Sequence, residues 1–349
     1  MAENGLVLVT GATGFVGKWT VIELLKKGYS VRGTIRSLGK VEEVRNGVAT
    51  QTGSEALERL DLIEADLLED SGWAEAMQGV GAVMHVAAAI RSDEPEDAGL
   101  VVRPALEGTQ RVMRFAQQAG IKRVILTSSV ATVGYGHGHT TGRRVYDESY
   151  FTQLDQMKYT WAYCVGKTKA EQWAWAFAAE TGLELTTIHP GAILGPAIDA
   201  DHSISLGTVL RVVSGQAKAV PDQGFAVIDV RDVAAAHVAA LEKPEAIGQR
   251  YLTAGEFTRL PDIPRILAEA YPDFNIQVGT IPGEVLWQMV DTNGTIKQII
   301  NDIGNEKHYD PSKGEALIGR KFISSREAIL AAAQSAIDLG LVQVPRAAQ

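Results

Sequence analysis

Tyr163-Cys164-Val165-Gly166-Lys167 sets a phenol and an ammonium four residues apart on a stretch, 162–180, that reads as a helix. Residues at that spacing share one helix face, so the two groups project together. A free tyrosine has a pKa of about 10, too high for efficient proton exchange near neutrality. A neighbouring cation stabilises the phenolate and lowers that value, which suits the pair to general acid/base work in carbonyl–alcohol interconversion. The spacing alone is common by chance and takes its weight from what precedes it. Ser128 and Ser129 end an apolar run that reads as the fifth strand. A hydroxyl there can hold a substrate oxygen beside the phenol, or simply cap a turn, and the residues alone do not separate Ser128 from Ser129.

These groups must be held against something, and the start of the chain supplies it. Val7 to Val9 is an apolar run, Gly11, Gly14 and Gly17 follow at intervals of three, and Lys18 to Lys27 is helix-forming. The order is strand, tight turn, helix N-terminus. Gly11 lets the chain turn, Gly14 lets the backbone approach a pyrophosphate, and Gly17 is expected to let the helix pack near the sheet. The first helical N–H groups then face the anion at the positive end of the helix dipole. Dinucleotide binding is the expectation.

Strand-like runs follow at Ser30–Ile35, Leu60–Glu64, Ala82–Val86, Arg123–Thr127 and Leu185–His189, with helical patterns at Trp73–Met77, Val101–Ala119 and Ala162–Glu180 between them. Such alternation predicts an α/β fold, a doubly wound parallel sheet of the Rossmann type, with ligands at the carboxyl ends of the strands. The pattern weakens after Gly191. The expected division is a dinucleotide-binding domain over 1–190, with 225–241 returning to it through an alanine-rich helix at Val230–Leu241, and a smaller, mixed C-terminal substrate lobe over 191–349. The stretch from Gly134 to Tyr159 reads as a long loop beside the site. Its His137 and His139 lack partners at metal-ligand spacing, and no metal is expected.

The strand ends suggest which dinucleotide. An acidic residue after the second strand would select NAD. This chain has Ile35 and then Arg36, and a guanidinium beside the ribose can pair with a 2′-phosphate, with Lys40 near enough to help. NADPH is expected in preference to NADH. Asp66, followed by Leu67, can accept from the adenine amino group. Ala87 supplies a small side chain where a cofactor must pass close to the backbone.

The chain has 349 residues, 46% of them hydrophobic and 21% charged, with a formal net charge of −9. That balance argues against a partner of nucleic acid or an anionic membrane. Cys164 is the only cysteine, so no intrachain disulfide forms, which fits a reducing compartment. No leader pattern and no apolar run long enough to span a bilayer occurs, and the expectation is a cytoplasmic protein, monomer or homodimer.

With these residues in place the chain resembles an extended short-chain dehydrogenase/reductase, of the group that holds dihydroflavonol reductases, cinnamoyl-CoA reductases and microbial aldehyde or carbonyl reductases. The matching stretches are Thr10 to Gly17, Thr127-Ser128-Ser129, Val145 to Ser149, Tyr163 to Lys167 and Pro190 to Pro196. The resemblance implies a catalytic triad of Ser129, Tyr163 and Lys167. In that scheme Tyr163 donates the proton, Lys167 depresses its pKa and holds the nicotinamide ribose, and Ser129 orients the carbonyl. It further implies cofactor contacts from Gly11, Thr13, Gly14 and Gly17, from the Phe15 and Val16 amides on the pyrophosphate, and from Pro190 and Ile193 flanking the nicotinamide. The chain departs from the plant patterns. Gly134 aligns with the flavonoid-reading asparagine of dihydroflavonol reductases. Trp161-Ala162-Tyr163-Cys164-Val165-Gly166-Lys167 replaces Asn-Trp-Tyr-Cys-Tyr-Gly-Lys of cinnamoyl-CoA reductases. Both departures point to simpler aldehydes or ketones as the small-molecule carbonyl substrate. Tyr135, Trp161, Phe225 and Trp287 are candidate pocket aromatics, each equally at home in a core. A hydroxysteroid dehydrogenase, an NAD-dependent nucleotide-sugar epimerase and a non-catalytic dinucleotide sensor are the competing readings. Ile35-Arg36 argues against the epimerase, and the presence of both Tyr163 and Lys167 against the sensor.

Overall fold

The computed structural model describes residues 4–88, 90–91, 93–138, 142–200 and 203–344. His139 lies outside the described residues. The strands, in chain order, are β1 (Asn4–Val9), β2 (Tyr29–Ile35), β3 (Leu60–Glu64), β4 (Ala82–His85), β5 (Arg123–Thr127), β6 (Gly142–Tyr146), β7 (Glu184–Pro190), β8 (Ala192–Leu194), β9 (Ala219–Pro221), β10 (Gly224–Asp229), β11 (Arg250–Thr253), β12 (Phe257–Arg259), β13 (Gly279–Ile281) and β14 (Asn305–Tyr309). The helices are α1 (Phe15–Lys26), α2 (Val41–Thr52), α3 (Trp73–Ala76), α4 (Gly99–Gln118), α5 (Ala162–Thr181), α6 (Ile204–Val213), α7 (Val230–Glu242), α8 (Asp262–Ala270), α9 (Gly283–Met289), α10 (Gly294–Ile299), α11 (Ser312–Ile318) and α12 (Ser325–Asp338).

A seven-stranded sheet in the order β11-β7-β5-β4-β1-β2-β3 forms the centre, and every neighbouring pair in it runs parallel. This is the expected doubly wound fold. Both faces are covered, which is why β4 and β5 read as near-continuous apolar runs rather than alternating ones. Leu8, Val9, Val83, Val124 and Ile125 are fully buried, each worth about 1.5–3 kcal/mol. On one face α1 and α7 pack together, and the core continues from Trp19, Ile22 and Leu25 to Ala234 and Val238. On the other face α3, α4 and α5 enclose Trp73, Met113 and Ala174.

Helices α4 and α5 meet closely because Gly166 faces α4: a Cβ there would stand 3.1 Å from Ala105 Cβ and 3.2 Å from Val102 Cα. The glycine inside the Tyr-x-x-x-Lys spacing thus sets how deep that helix sits.

The later half of the chain does not stay apart from the sheet. Helix α7 lies on α1, and β11 pairs with β7 through Arg250↔Thr187 to Thr253↔Pro190. Smaller sheets, β12-β10-β8, β13-β9 and β14-β6, complete the fold. The stretch expected as one loop from Gly134 to Tyr159 is not wholly irregular, because β6 within it pairs in parallel with β14. Its GRRVY sequence, with exposed arginine and valine, hides the strand. Lys18 of α1, fully buried, meets Asp199 at 2.5 Å and ties α1 to the later half. No helix of the described residues is long and apolar enough to cross a membrane.

Candidate active site

The glycine turn is pinned from behind by Thr10. Its hydroxyl accepts the Val86 and Ala87 N–H groups, each at 3.0 Å, and donates to His85 Nδ1 at 2.8 Å. Burial, reinforced by Lys167, lowers the His85 pKa to about 3, so this ring is a neutral acceptor. Gly11 has φ +69°, and a Cβ on it would stand 2.9 Å from Ala87 Cα. Gly17 is glycine because a Cβ would run into the Gly11 carbonyl. It therefore lets the start of α1 close onto the turn that follows β1.

Gly14 differs from both. A Cβ there would meet only the Gly11 oxygen, at an ordinary 3.5 Å. Internal packing does not demand glycine at 14, whereas close approach by an outside group does. Gly14 is also the N-cap of α1 and offers no side-chain cap, so the first-turn N–H groups of Phe15 and Val16 lack a side-chain acceptor at the helix end. The Phe15 side chain is buried and Val16 packs on the same core. Thr13 is half-buried in the turn. This is the chemistry a pyrophosphate requires, and these residues fit one.

The other expected cofactor residues, Ile193 excepted, follow the carboxyl ends of strands of the same sheet. Arg36 follows β2, is exposed, and has no ion-pair partner among the described residues. Lys40, expected to assist it, instead pairs with Glu43 at 2.6 Å. Asp66 follows β3; one carboxylate oxygen accepts from the Leu68 N–H at 2.8 Å and fixes the turn. Leu67 packs against Gly108 of α4. Ala87 follows β4, against Gly11. Pro190 ends β7, and Ile193 lies in β8 opposite Ile228 of β10.

Ser129 and Tyr163 are brought together, with the Ser129 hydroxyl acting to lower the Tyr163 pKa; that hydroxyl accepts from the Ala131 N–H at 3.1 Å. Ser128 is turned elsewhere, donating to buried Glu171 at 2.6 Å. Tyr163 and Lys167 occupy successive turns of α5. Lys167 Nζ donates to the Thr127 carbonyl at 2.8 Å, and burial lowers its pKa to about 8, with Glu171 opposing. Burial raises the Tyr163 pKa, and the Ser129 hydroxyl only partly offsets it. The phenol thus lies above its ordinary value rather than below it, because burial outweighs its polar neighbour.

Several supporting residues escaped the sequence reading. Thr127 donates its hydroxyl to His237 Nε2 at 2.6 Å, while His237 Nδ1 donates to the Val233 carbonyl at 2.7 Å. Helix α7 thereby steadies the carbonyl that holds Lys167. Glu171, one turn beyond Lys167, accepts from Arg250 of β11 at 2.8 Å. His189 stands 3.4 Å from the same carboxylate, but burial holds its pKa near 4, so Arg250 is the counter-ion at neutral pH. Burial alone would raise the Glu171 pKa; its charged and hydrogen-bonded neighbours reverse that, and the net shift is downward. The Lys167-x-x-x-Glu171 spacing was readable in principle, but nothing local announces Arg250.

Of the candidate pocket aromatics, Trp161 lies tilted at 5.3 Å from the Tyr163 ring and edge-on at 6.0 Å from the Tyr135 ring. Tyr135 and Trp287 line a cavity of about 340 Å³ with Gly134, Tyr159 and Lys307. Phe225 belongs instead to the core of the sheet layer. Gly134 is glycine for space: a Cβ there would run into the Tyr309 hydroxyl. His137 Nε2 donates to the Val133 carbonyl at 2.8 Å, and the ring packs on Tyr146 and Tyr150. No cluster of three or more metal-ligating side chains occurs among the described residues.

Residues 7–255 match the model of the NAD dependent epimerase/dehydratase family. A cinnamoyl-CoA reductase of Petunia hybrida is 38% identical over 273 residues, 78% of this chain and 79% of that one. A dihydroflavonol 4-reductase of Zea mays is 37% identical over 284 residues, 79% of this chain and 77% of that one. Among solved structures, the yeast methylglyoxal/isovaleraldehyde reductase complexed with NADPH superposes with a TM-score of 0.77 at 26% identity, covering 96% of this chain and 99% of that one.

Proposed function

We propose, from the premise that this chain belongs to the NAD dependent epimerase/dehydratase family, that it is an NADPH-dependent reductase of small aldehydes and ketones to alcohols. It is an oxidoreductase of carbonyl groups, like the relatives named above. The observation that carries the reading is the placement of Ser129 beside Tyr163, one helical turn from buried Lys167, on the same edge of the sheet as a glycine turn open at Gly14.

NADPH, when bound, supplies a hydride to the carbonyl carbon. Gly11, Thr13, Gly14 and Gly17 with the Phe15 and Val16 amides take its pyrophosphate. Arg36 takes the 2′-phosphate, Asp66 and Leu67 the adenine side, and Ala87, Pro190 and Ile193 flank the nicotinamide half. Ser129 orients the substrate oxygen, and Tyr163 gives that oxygen its proton. Burial favours the task, because a phenol held above its ordinary pKa stays protonated until the oxygen becomes basic. Lys167 is cationic below about pH 8 and stabilises the phenolate left behind.

Cofactor binding belongs to 1–190 with 225–241, and substrate binding mainly to 191–349. A net charge of −9 and a single, buried cysteine support a cytoplasmic protein, monomeric or homodimeric. The test is NADPH oxidation followed by absorbance over aliphatic, aromatic and α-dicarbonyl compounds, with NADH in parallel. Turnover with NADPH preferred is expected. Tight cofactor binding without turnover of any carbonyl overturns the reading.

A further inference from the structure

The cavity lined by Tyr135 and Trp287 has a charge pattern that the reaction itself does not use. Its volume of about 340 Å³ suits a small organic ligand. It opens to solvent past Gly138, Gln156 and Lys158, all of them exposed. Tyr135, Tyr146, Tyr159 and Trp287 give it aromatic walls. Its cations are Arg144, Lys158 and Lys307, in a chain whose net charge is −9.

Arg144 and Lys307 are cross-strand partners in the parallel pair of β6 and β14. Neighbouring strands lie about 4.7–4.9 Å apart and paired residues project to one face, so the two cations leave their strands side by side. Like charges set directly opposite destabilise a sheet. Asp302 offsets Lys307 at 2.6 Å, and also accepts from the Tyr135 hydroxyl at 3.2 Å. Nothing comparable meets Arg144. Its Nη1 donates to the His137 carbonyl at 2.6 Å, and its guanidinium lies 5.4 Å from the centre of the Tyr146 ring. Neither Arg144 nor Lys158 has a carboxylate within ion-pair distance among the described residues. Glu306 also borders the cavity, but strand alternation turns its side chain to the other face of β14, toward His308 at 3.5 Å. The cavity face of this small sheet thus carries positive charge that the protein leaves unanswered.

We propose that the cavity binds an organic anion, its carboxylate or phosphate group held between Arg144 and Lys307 and its apolar body against the aromatic walls. A guanidinium presents paired N–H donors that match either group, and the neighbouring ammonium adds a point charge. The back wall joins the cavity to the chemistry, because the Trp161 ring lies 6.0 Å from that of Tyr135 and 5.3 Å from that of Tyr163. The anion is therefore the tail of the carbonyl substrate or a separate ligand beside it, two sources that differ in their kinetics. Binding here is independent of the reductase reading.

Binding is measured by titration calorimetry on the protein saturated with NADP, which keeps the probes out of the cofactor site. The probes are benzoate and phenyl phosphate, with benzamide as the neutral control. At least one anion is expected to bind about tenfold or more tightly than benzamide, and Arg144→Gln to weaken it about tenfold or more. Lys158→Gln, at the exposed rim, is expected to weaken it about threefold and reports on the cavity without touching β6. Unchanged melting temperature and NADP affinity show that a variant is folded. Anions bound no more tightly than benzamide overturn the proposal, as does anion binding that survives Arg144→Gln. Should Arg144→Gln not fold, unchanged binding in Lys158→Gln overturns it instead. Reduction of 4-carboxybenzaldehyde and benzaldehyde by NADPH then separates the two sources. Competitive inhibition by benzoate, with the carboxylated aldehyde preferred in kcat/KM, supports the site as part of the substrate pocket; benzoate binding that leaves KM unchanged supports it as the site of a separate ligand. If no carbonyl is reduced, the reductase reading falls, and the calorimetry alone decides whether the anion site stands.

Discussion

Lys167→Met is expected to make the protein more stable while removing its activity. The ammonium is buried, and its pKa is lowered from 10.5 to about 8. At about 1.4 kcal/mol per tenfold change in proton affinity, that corresponds to about 3 kcal/mol of native-state destabilisation at pH 7. Methionine has similar length and carries no charge to desolvate. It leaves the Thr127 carbonyl without the Lys167 donor, at a cost of about 1 kcal/mol. The net gain is about 2 kcal/mol. Unfolding entropy of about 2.1 cal/mol/K per residue, over 349 residues, converts this to a rise of about 3 °C in Tm.

The effect has a definite pH dependence. Between about pH 8 and 10.5 the unfolded lysine binds a proton and the folded one does not, so wild-type stability rises through that window relative to the variant. The assay is thermal unfolding of both proteins without cofactor, at pH 7 and again near pH 10, because bound NADPH would stabilise only the native state. The variant's advantage should be present at pH 7 and gone near pH 10. A variant less stable than wild type at pH 7, or a difference that does not change with pH, refutes the reasoning.

Arg36→Asp should lower the preference for NADPH over NADH by about 10- to 100-fold, the worth of a charge-assisted contact; unchanged discrimination in kcat/KM would remove Arg36 from the 2′-phosphate. Tyr163→Phe should reduce carbonyl turnover by about 10²- to 10⁴-fold with NADPH binding retained; a wild-type rate would show that another group donates the proton. Glu171→Ala leaves the Arg250 guanidinium buried with the neutral Glu148 and Tyr150 carbonyls, the Thr132 hydroxyl and the Phe151 ring as partners. A loss of about 3–5 kcal/mol is expected, read as a lower denaturation midpoint, and an unchanged midpoint would show the ion pair to be dispensable.

The strand Arg123–Thr127 was legible to the residue because a parallel strand buried on both faces is written as a short apolar run between turn signals. Strand β11 was not: four residues beginning with Arg250 carry no such run, and that arginine enters the interior only because Glu171 meets it there. Strand β6 was hidden by two arginines and a partner, β14, far along the chain. In the candidate site, the glycine turn and the Tyr163–Lys167 spacing were readable because their chemistry depends on local geometry. The distinction between Ser128 and Ser129 was not, since adjacent serines differ only in what each hydroxyl meets across the fold. The juxtaposition of Arg144 with Lys307 was invisible for the same reason: it exists only across the β6–β14 pair.

The position of β11 also constrains how the chain can be made. Strand β7 ends at Pro190 and its partner begins at Arg250. At about 5–20 residues per second of synthesis, the growing chain carries β7 as an unpaired flank for several seconds after its other neighbours can dock. That flank presents a ladder of open N–H and C=O groups able to accept a strand from another nascent chain. Translation pauses or truncations between 190 and 250 should therefore yield aggregation-prone fragments in which the glycine turn is already formed. Lys167 would then still lack the Thr127–His237 bond that only the later helix provides.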